Sequence, residues 1–354
     1  MPILLLKTIP EISDLAIKEI SFFSISSAKI VEQWPDLISI NSTDINSDFV
    51  KLVLLGKTFY RVLYKIFDDK INVEDRKSIY NRVKDLPWQS FWDVDQTFAV
   101  RCEGINKNKS KTLAKDIGQA IVDQFKNSTG KKIKVNLKNP DIEILARLKN
   151  NRLLLAINLT KSDINESIDI LVRSGIILSG WDTRSKFGEI FCGGFSVSAY
   201  ELAKNEANRE RFLRTAFIKT KFADREKIIK LLRKNWSKEL LTTIDCYERE
   251  SRINICKEKI KGYREIALKK LDAIFNSEKD ILATNLYVTS RKKGEQEEDL
   301  RWIISNVLNN HFWKTFIFIA RGDIKDLKNI PNQVEHRKIQ IKGTEISLIM
   351  SLRE

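Results

Sequence analysis

"VNLKNPDIEILARLKNNRLLLAINLT", Val135 to Thr160, holds two extended runs on either side of a polar turn, and the rest of the chain is read outward from it. Ile142 to Leu148 alternates apolar with polar, "KNNR" follows, and Leu153 to Leu159 is almost wholly apolar. Period-two alternation bounded by turn residues predicts strands.

Upstream stand a helix pattern "EDRKSIYNRVKDLPWQSF", a strand "TFAVRCEGI" and a helix "SKTLAKDIGQAIVDQFKNSTG". Residues 66–162 therefore form an α/β unit that ends in strands. Residues 1–65 form a smaller α+β unit. "PILLLKTIP" is a buried-type strand, and Ile12, Leu15, Ile17 and Ile20 recur at helical spacing. "LISINS" alternates, and "DFVKLVLLGKTFYRVLYKIF" is helix-like.

Downstream, "TKSDINES" changes composition and marks a linker, assigned to 163–177. From 178 to 354 strand patterns ("FGEIFC", "ELLTTIDCY", "ILATNLYV", "TFIFIA", "EISLIMSL") alternate with helix patterns, among them "ESRINICKEKIK" and "EEDLRWIISNVLNN". That order implies an α/β domain with a mostly parallel, doubly wound sheet, which takes ligands beyond the carboxyl ends of its strands. "FCGGF" and "NLYV" both fall there.

At 354 residues the chain has room for two or three domains. The opening "MPILLLKTIPEI" lacks the marks of a signal peptide, and nowhere do about 18 apolar residues run together, so a cytoplasmic protein without membrane contact is expected. Cys102, Cys192, Cys246 and Cys256 include no C-x-x-C pair, and the histidines are His311 and His336. That set predicts neither a disulfide framework nor a metal site, and it argues against a Ser-His-Asp or Cys-His hydrolase.

The formal charge of +15 makes a polyanion the first partner class, although a lysine-rich composition would also raise it. Clustering separates the two. Between Lys107 and Lys138 nine lysines face only Asp116 and Asp123, a surplus of +7. The candidate RNA contacts are Lys107, Lys109, Lys111, Lys115, Lys131, Lys132 and Lys134, with Asn136 and Asn139. A second basic run, Lys219 to Lys234, either extends the track or is an ordinary solvated helix face.

"DLPWQSFWDVDQTFAVRCEG", "DIGQAIVDQF" and above all "VNLKNPDIEI" (Val135 to Ile144) resemble the THUMP domain of tRNA and rRNA modification enzymes. With an N-terminal ferredoxin-like unit and with "LSGWD" (Leu178 to Asp182), the chain resembles the archaeal-type tRNA guanosine N2-methyltransferases. The resemblance implies tRNA as partner and a Rossmann-like S-adenosylmethionine domain. Its cofactor loop would be "EIFCGGFS", with Cys192, Gly193 and Gly194 matching and Glu248 (or Asp245) and Asp272 as acids toward ribose and adenine. The catalytic motif would be "NLYVTSR", with Asn285 as acceptor for the target amine and Tyr287, after a one-residue slip, as stacking ring.

The chain also departs from that family. Phe195 replaces a loop glycine, where a ring would occupy or shield the cofactor's space. Glu189 stands for Asp and Tyr200 for a helix Glu, while Leu286, Tyr287 and Val288 replace the Pro-Pro-aromatic turn. The join at 160–182 is short. These changes lead to the expectation of an RNA-binding protein whose methyltransferase domain serves as scaffold or partner subunit, with an active methyltransferase or another modification enzyme as its protein partner; an active methyltransferase with an altered site is the alternative.

Overall fold

The computed structural model describes residues 1–25, 28–71, 75–160, 167–181, 187–190, 195, 198–199, 215–232, 253–254, 279–289, 293–308, 313–341 and 343–353. Its first unit runs β1 (Ile3–Lys7), α1 (Ser13–Ser21), β2 (Lys29–Val31), β3 (Trp34–Asn41), α2 (Ile45–Leu55) and β4 (Arg61–Lys70). The strand order β2-β3-β1-β4, antiparallel throughout, is the expected ferredoxin-like arrangement.

One stretch differs from its sequence reading. "DFVKLVLLGKTFYRVLYKIF" is not one helix but α2 and β4, separated at Gly56. The break is held from a distance. The Glu19 carboxylate on α1 accepts the N–H groups of Lys57 and Thr58 at 2.9 Å and the Thr58 hydroxyl at 2.7 Å, donors that a continuing helix would spend internally.

The second unit comprises α3 (Arg76–Lys84), β5 (Thr97–Glu103), α4 (Lys107–Thr129), β6 (Lys134–Val135), β7 (Ile142–Lys149) and β8 (Arg152–Asn158). The opening stretch is a hairpin: β7 and β8 pair antiparallel, and Asn150 and Asn151 turn between them at φ 50° and 55°. Asn106 caps the start of α4 by accepting the Lys109 N–H at 2.9 Å, and Gly130, at φ 72°, ends it in the left-handed conformation that glycine adopts freely. Because β4 pairs with β1 on one side and β8 on the other, the expected boundary at residue 65 falls inside a strand. The two units share one eight-stranded sheet, and their helices bury a common core that includes Trp88, Trp92, Phe98 and Phe125.

The third part begins with α5 (Ser167–Leu178) and continues through β9 (Phe187–Ile190), β10 (Ile253–Asn254), β11 (Lys279–Asn285), α6 (Leu286–Thr289), α7 (Lys293–Ile303), β12 (Trp313–Arg321), β13 (Gln333–Ile341) and β14 (Thr344–Leu352). The sheet order is β10-β9-β11-β12-β14-β13. Its first four strands are parallel, and β14 is reversed between β12 and β13. This is the expected α/β architecture.

Three details correct the sequence reading. Most of the stretch assigned to a linker, 163–177, is a helix: from Ser167 it buries Ile170, Leu171, Val172 and Ile176 in a core shared with Ile12 and Leu15 of the first unit. "ESRINICKEKIK" contains strand β10 rather than being all helix. β13 has no counterpart in the pattern reading, because on this edge strand only Ile339 is buried, and Arg337 in the same row is held by Asp14 of α1 rather than by apolar packing.

Residues 215–232 leave the third part and return to the first two. Thr215 bridges Thr160, and Phe217, fully buried, stacks on Phe49 at 4.1 Å. Phe222 stacks on Tyr64 at 4.4 Å, while Asn46 accepts the Asp224 N–H at 2.9 Å. We call this segment the strap. Within the expected 178–354 domain, these residues pack on the first two units. Among the described residues no helix is long and apolar enough to cross a membrane.

Candidate nucleic-acid interface

α4 is 23 residues long, so it spans about 35 Å at 1.5 Å per residue. Lys107 opens it, and Lys109, Lys111 and Lys115 lie exposed along its first half. The chain then doubles back beside the helix, exposing Lys131, Lys132, Lys134 and Lys138. None of these seven exposed lysines has an ion-pair partner among the described residues. The two acids that interrupt the run are spent on α3: Asp116 holds Arg76 through two bonds of 2.6 and 2.7 Å, and Asp123 accepts the Tyr80 hydroxyl at 2.6 Å. The surplus read from the sequence is thus real surface charge.

Between α4 and the edge strand β6 lies a groove of about 540 Å³. Its walls are largely apolar, from Val100, Ala114, Val122, Val135 and Leu137, and its rim carries Lys111, Lys115 and Arg101. Val135 and Leu137 are 53% and 63% exposed, which is unusual for such side chains outside a contact surface. Charge counting did not find them. Their signal is the interleaving of apolar residues with lysine in "KIKVNLK". Cys102, also in the wall, has its thiol pushed up to about 12 by burial and is no nucleophile.

The "NLKNPD" loop is shaped by two of its own side chains. Asn136 accepts the N–H groups of Lys138 and Asn139 at 3.1 Å and donates to the Asn139 carbonyl at 2.9 Å, so its amide group is spent on the turn. Asn139 is exposed. Asp141 accepts the Thr97 N–H and hydroxyl at 2.9 Å and pairs with Lys219 of the strap. The Lys219 ammonium first, and the Thr97 N–H after it, hold the Asp141 carboxyl down at about 2.

The second basic run sorts differently from the first. Lys219 pairs with Asp141, Lys221 with Asp93 at 2.8 Å and Lys227 with Asp44 at 2.8 Å. These lysines clamp the strap, so they are neither a solvated face nor open phosphate contacts.

In the third part, Asn285 ends β11 and lies beside β9, with Thr284 opposite Ile190 in parallel register. The carboxyl ends of β9 and β11, after which the glycine loop and "NLYV" come in sequence, are therefore adjacent. Cys192, Gly193, Gly194, Tyr200, Asp245, Glu248 and Asp272 lie outside the described residues. The strand "ELLTTIDCY", after which the ribose acid was expected, also lies outside the described residues; the described strand paired with β9 is Ile253–Asn254.

The Phe195 side chain belongs to the third-part core. It is fully buried among the third-part core residues, so close to Gly175 of α5 that a Cβ there would come within 2.8 Å of the ring. Its N–H donates to the buried Glu189 carboxylate at 2.9 Å. Asn285 is fully buried, Leu286 lies in the core, and Tyr287 is half-buried against α5 and its neighbours. Among the described residues no cluster could hold a metal ion.

This combination of folds defines a class, an RNA-recognition unit joined to a methyltransferase-type sheet, and comparison with known proteins agrees. Residues 73–158 match the THUMP domain. The chain is 32% identical over 120 residues, 33% of its length, to a ribosomal RNA large subunit methyltransferase K/L of Dichelobacter nodosus, and that stretch is 16% of the relative. It is 27% identical over 156 residues, 44% of its length, to a tRNA (guanine(6)-N2)-methyltransferase of Archaeoglobus fulgidus, 38% of which is spanned. SMU.472, crystallised with SAH, shares the fold over 100% of this chain and 98% of its own, with a TM-score of 0.70 at 13% identity. The protein carries a THUMP domain and is homologous to methyltransferases that act on rRNA and tRNA. It spans well under half the length of these two relatives.

Proposed function

We propose that this chain binds RNA, and tRNA in particular, through the lysine strip and groove of its THUMP domain, and that its methyltransferase-type domain serves as scaffold or partner-binding subunit without transferring a methyl group. The observation that carries the RNA reading is the strip of unpaired lysines beside an apolar groove. Free ammonium groups at the rim suit phosphates, and an exposed apolar wall suits the face of an unpaired base. The lysines fix orientation, and sequence preference is left to the shape of the RNA.

The burial of Asn285 supports the non-catalytic reading. Transfer to an exocyclic amine needs an acceptor at the extruded base, and Asn285 is fully buried. Titration of S-adenosylmethionine by calorimetry is the test. No saturable heat is expected, and a dissociation constant in the low micromolar range overturns the reading.

A second reading, an active guanosine N2-methyltransferase, is favoured by the Phe195 ring, which is enclosed in the third-part core and not presented to a ligand. On that reading S-adenosylmethionine supplies the methyl group, held by Cys192, Gly193, Gly194 and Asp272, with Glu248 toward the ribose, and Asn285 and Tyr287 hold the base. It requires transfer of tritium from labelled cofactor to unmodified tRNA, lost in Asn285→Ala.

A further inference from the structure

We propose that the RNA-binding surface extends onto the strap, residues 215–232, where Lys219 acts by neutralising Asp141 and Arg225 by touching phosphate directly. The inference rests on the RNA-binding reading above.

The strap's cations fall into two groups. Lys219, Lys221 and Lys227 each cancel a carboxylate of the first two units, namely Asp141, Asp93 and Asp44. Arg225 and Lys230 are exposed and have no ion pair among the described residues; the Arg225 guanidinium donates only to the Ile218 carbonyl, at 3.4 Å. That carbonyl belongs to the residue next to Lys219, so Arg225 stands close to the Asp141–Lys219 pair.

Asp141 is three residues from Lys138, the last lysine of the strip. Three residues reach at most about 11 Å, comparable to the Debye length of about 8 Å at physiological salt. A bare carboxylate at position 141 would therefore oppose a phosphate bound at Lys138. Lys219 removes that charge, and Arg225 then continues the positive surface past it. Residues 225–232 are helical, so Ile229 shares the Arg225 flank at i,i+4 spacing. Ile218 and Ile229 are exposed, so this flank carries no carboxylate from either. Glu226 and Asp224, the other acids of the segment, stay outside it: Asp224 caps the helix by accepting the Lys227 N–H at 3.0 Å, and Glu226 sits a helical step away from the flank.

The strap comes from the third part of the chain, so one RNA would contact both halves of the molecule. By linkage, RNA bound there stabilises the docked strap as much as the docked strap strengthens RNA binding.

The experiment measures affinity of the full chain for an unmodified tRNA transcript across a salt series. Arg225→Glu is expected to weaken binding by roughly threefold or more and to flatten the salt slope by about one contact's worth. Lys219→Ala should weaken it too, and adding Asp141→Asn should restore it, since the carboxylate that needed masking is gone. A purely structural clamp predicts no such rescue. If Lys131→Glu/Lys132→Glu weakens binding while Arg225→Glu and Lys219→Ala do not, this inference falls and the RNA reading stands; if none of them weakens it, both fall. Should Lys219→Ala fail to fold, Arg225→Glu, at an exposed position, decides alone.

Discussion

The Glu19 carboxylate on α1 faces the Arg173 guanidinium on α5 across 3.8 Å, and neither side chain is more than 2% exposed. Glu19 already accepts three hydrogen bonds from Lys57 and Thr58 through its other oxygen. The pair therefore joins the break between α2 and β4 to the helix that opens the third part. Arg173→Met should leave a buried carboxylate without its counter-charge, at a cost on the order of 3–5 kcal/mol. Urea denaturation of the full chain reads this, and a loss near zero would mean that water reaches the pair.

This contact also shows where the sequence stopped being legible. Local pattern was enough for the β7–β8 hairpin, for the body of α4, and for the parallel strands β9, β11 and β12. Such elements declare themselves within a dozen residues. The α2–β4 break, the helix at 167–178 and the strap were hidden because each depends on partners far along the chain: Glu19 for the first, Ile12 and Leu15 for the second, Phe49 and Tyr64 for the third. Of the candidate site, the lysine strip was visible as charge density. The groove was not, since Val135 and Leu137 look like any strand residues until their exposure is known.

Lys131→Glu/Lys132→Glu should weaken tRNA binding without altering the melting temperature, because both side chains are exposed and neither has an ion pair to lose. Each phosphate contact contributes about 0.7–0.9 to the slope of log affinity against log salt, so the slope should fall by roughly one to two. Filter binding across a salt series checks this. Unaltered affinity would remove these lysines from the interface.

The groove makes a separate prediction. Val135→Ser/Leu137→Ser removes apolar wall but no charge, so binding should weaken for a tRNA with an unpaired end while the salt slope holds. Stacking and apolar contact with a base are worth about 1–3 kcal/mol, so the loss should be about fivefold or more. A blunt duplex should bind both proteins alike. Equal losses on the two RNAs would place the bases elsewhere.

Asp141 gives a pH signature. Its folded value, about 2, lies below the ordinary aspartate value near 3.9, so its contribution to stability is full above that ordinary value and is lost as pH falls toward 2. Asp141→Asn should therefore melt lower than wild type at neutral pH, and the gap should close between about pH 4 and pH 2. Thermal melts at stepped pH measure it. A gap that persists at pH 2 would point to lost hydrogen bonds at Thr97 rather than to the lost charge.

Phe195→Gly restores the residue the resembling family carries in its cofactor loop, and the structure gives two expectations for it. The ring fills space between α5 and β12, against Gly175 and Ile317, so its removal should cost about 3–5 kcal/mol, as for other large aromatic deletions in a core. Because the ring is fully enclosed in the third-part core, its removal should also leave affinity for S-adenosylmethionine unaltered. Calorimetry and urea denaturation on the same preparation separate the two effects. A variant that keeps its stability and gains cofactor binding would put the ring in the cofactor's space after all; one that loses stability and gains nothing would make Phe195 a core residue that happens to follow a glycine loop.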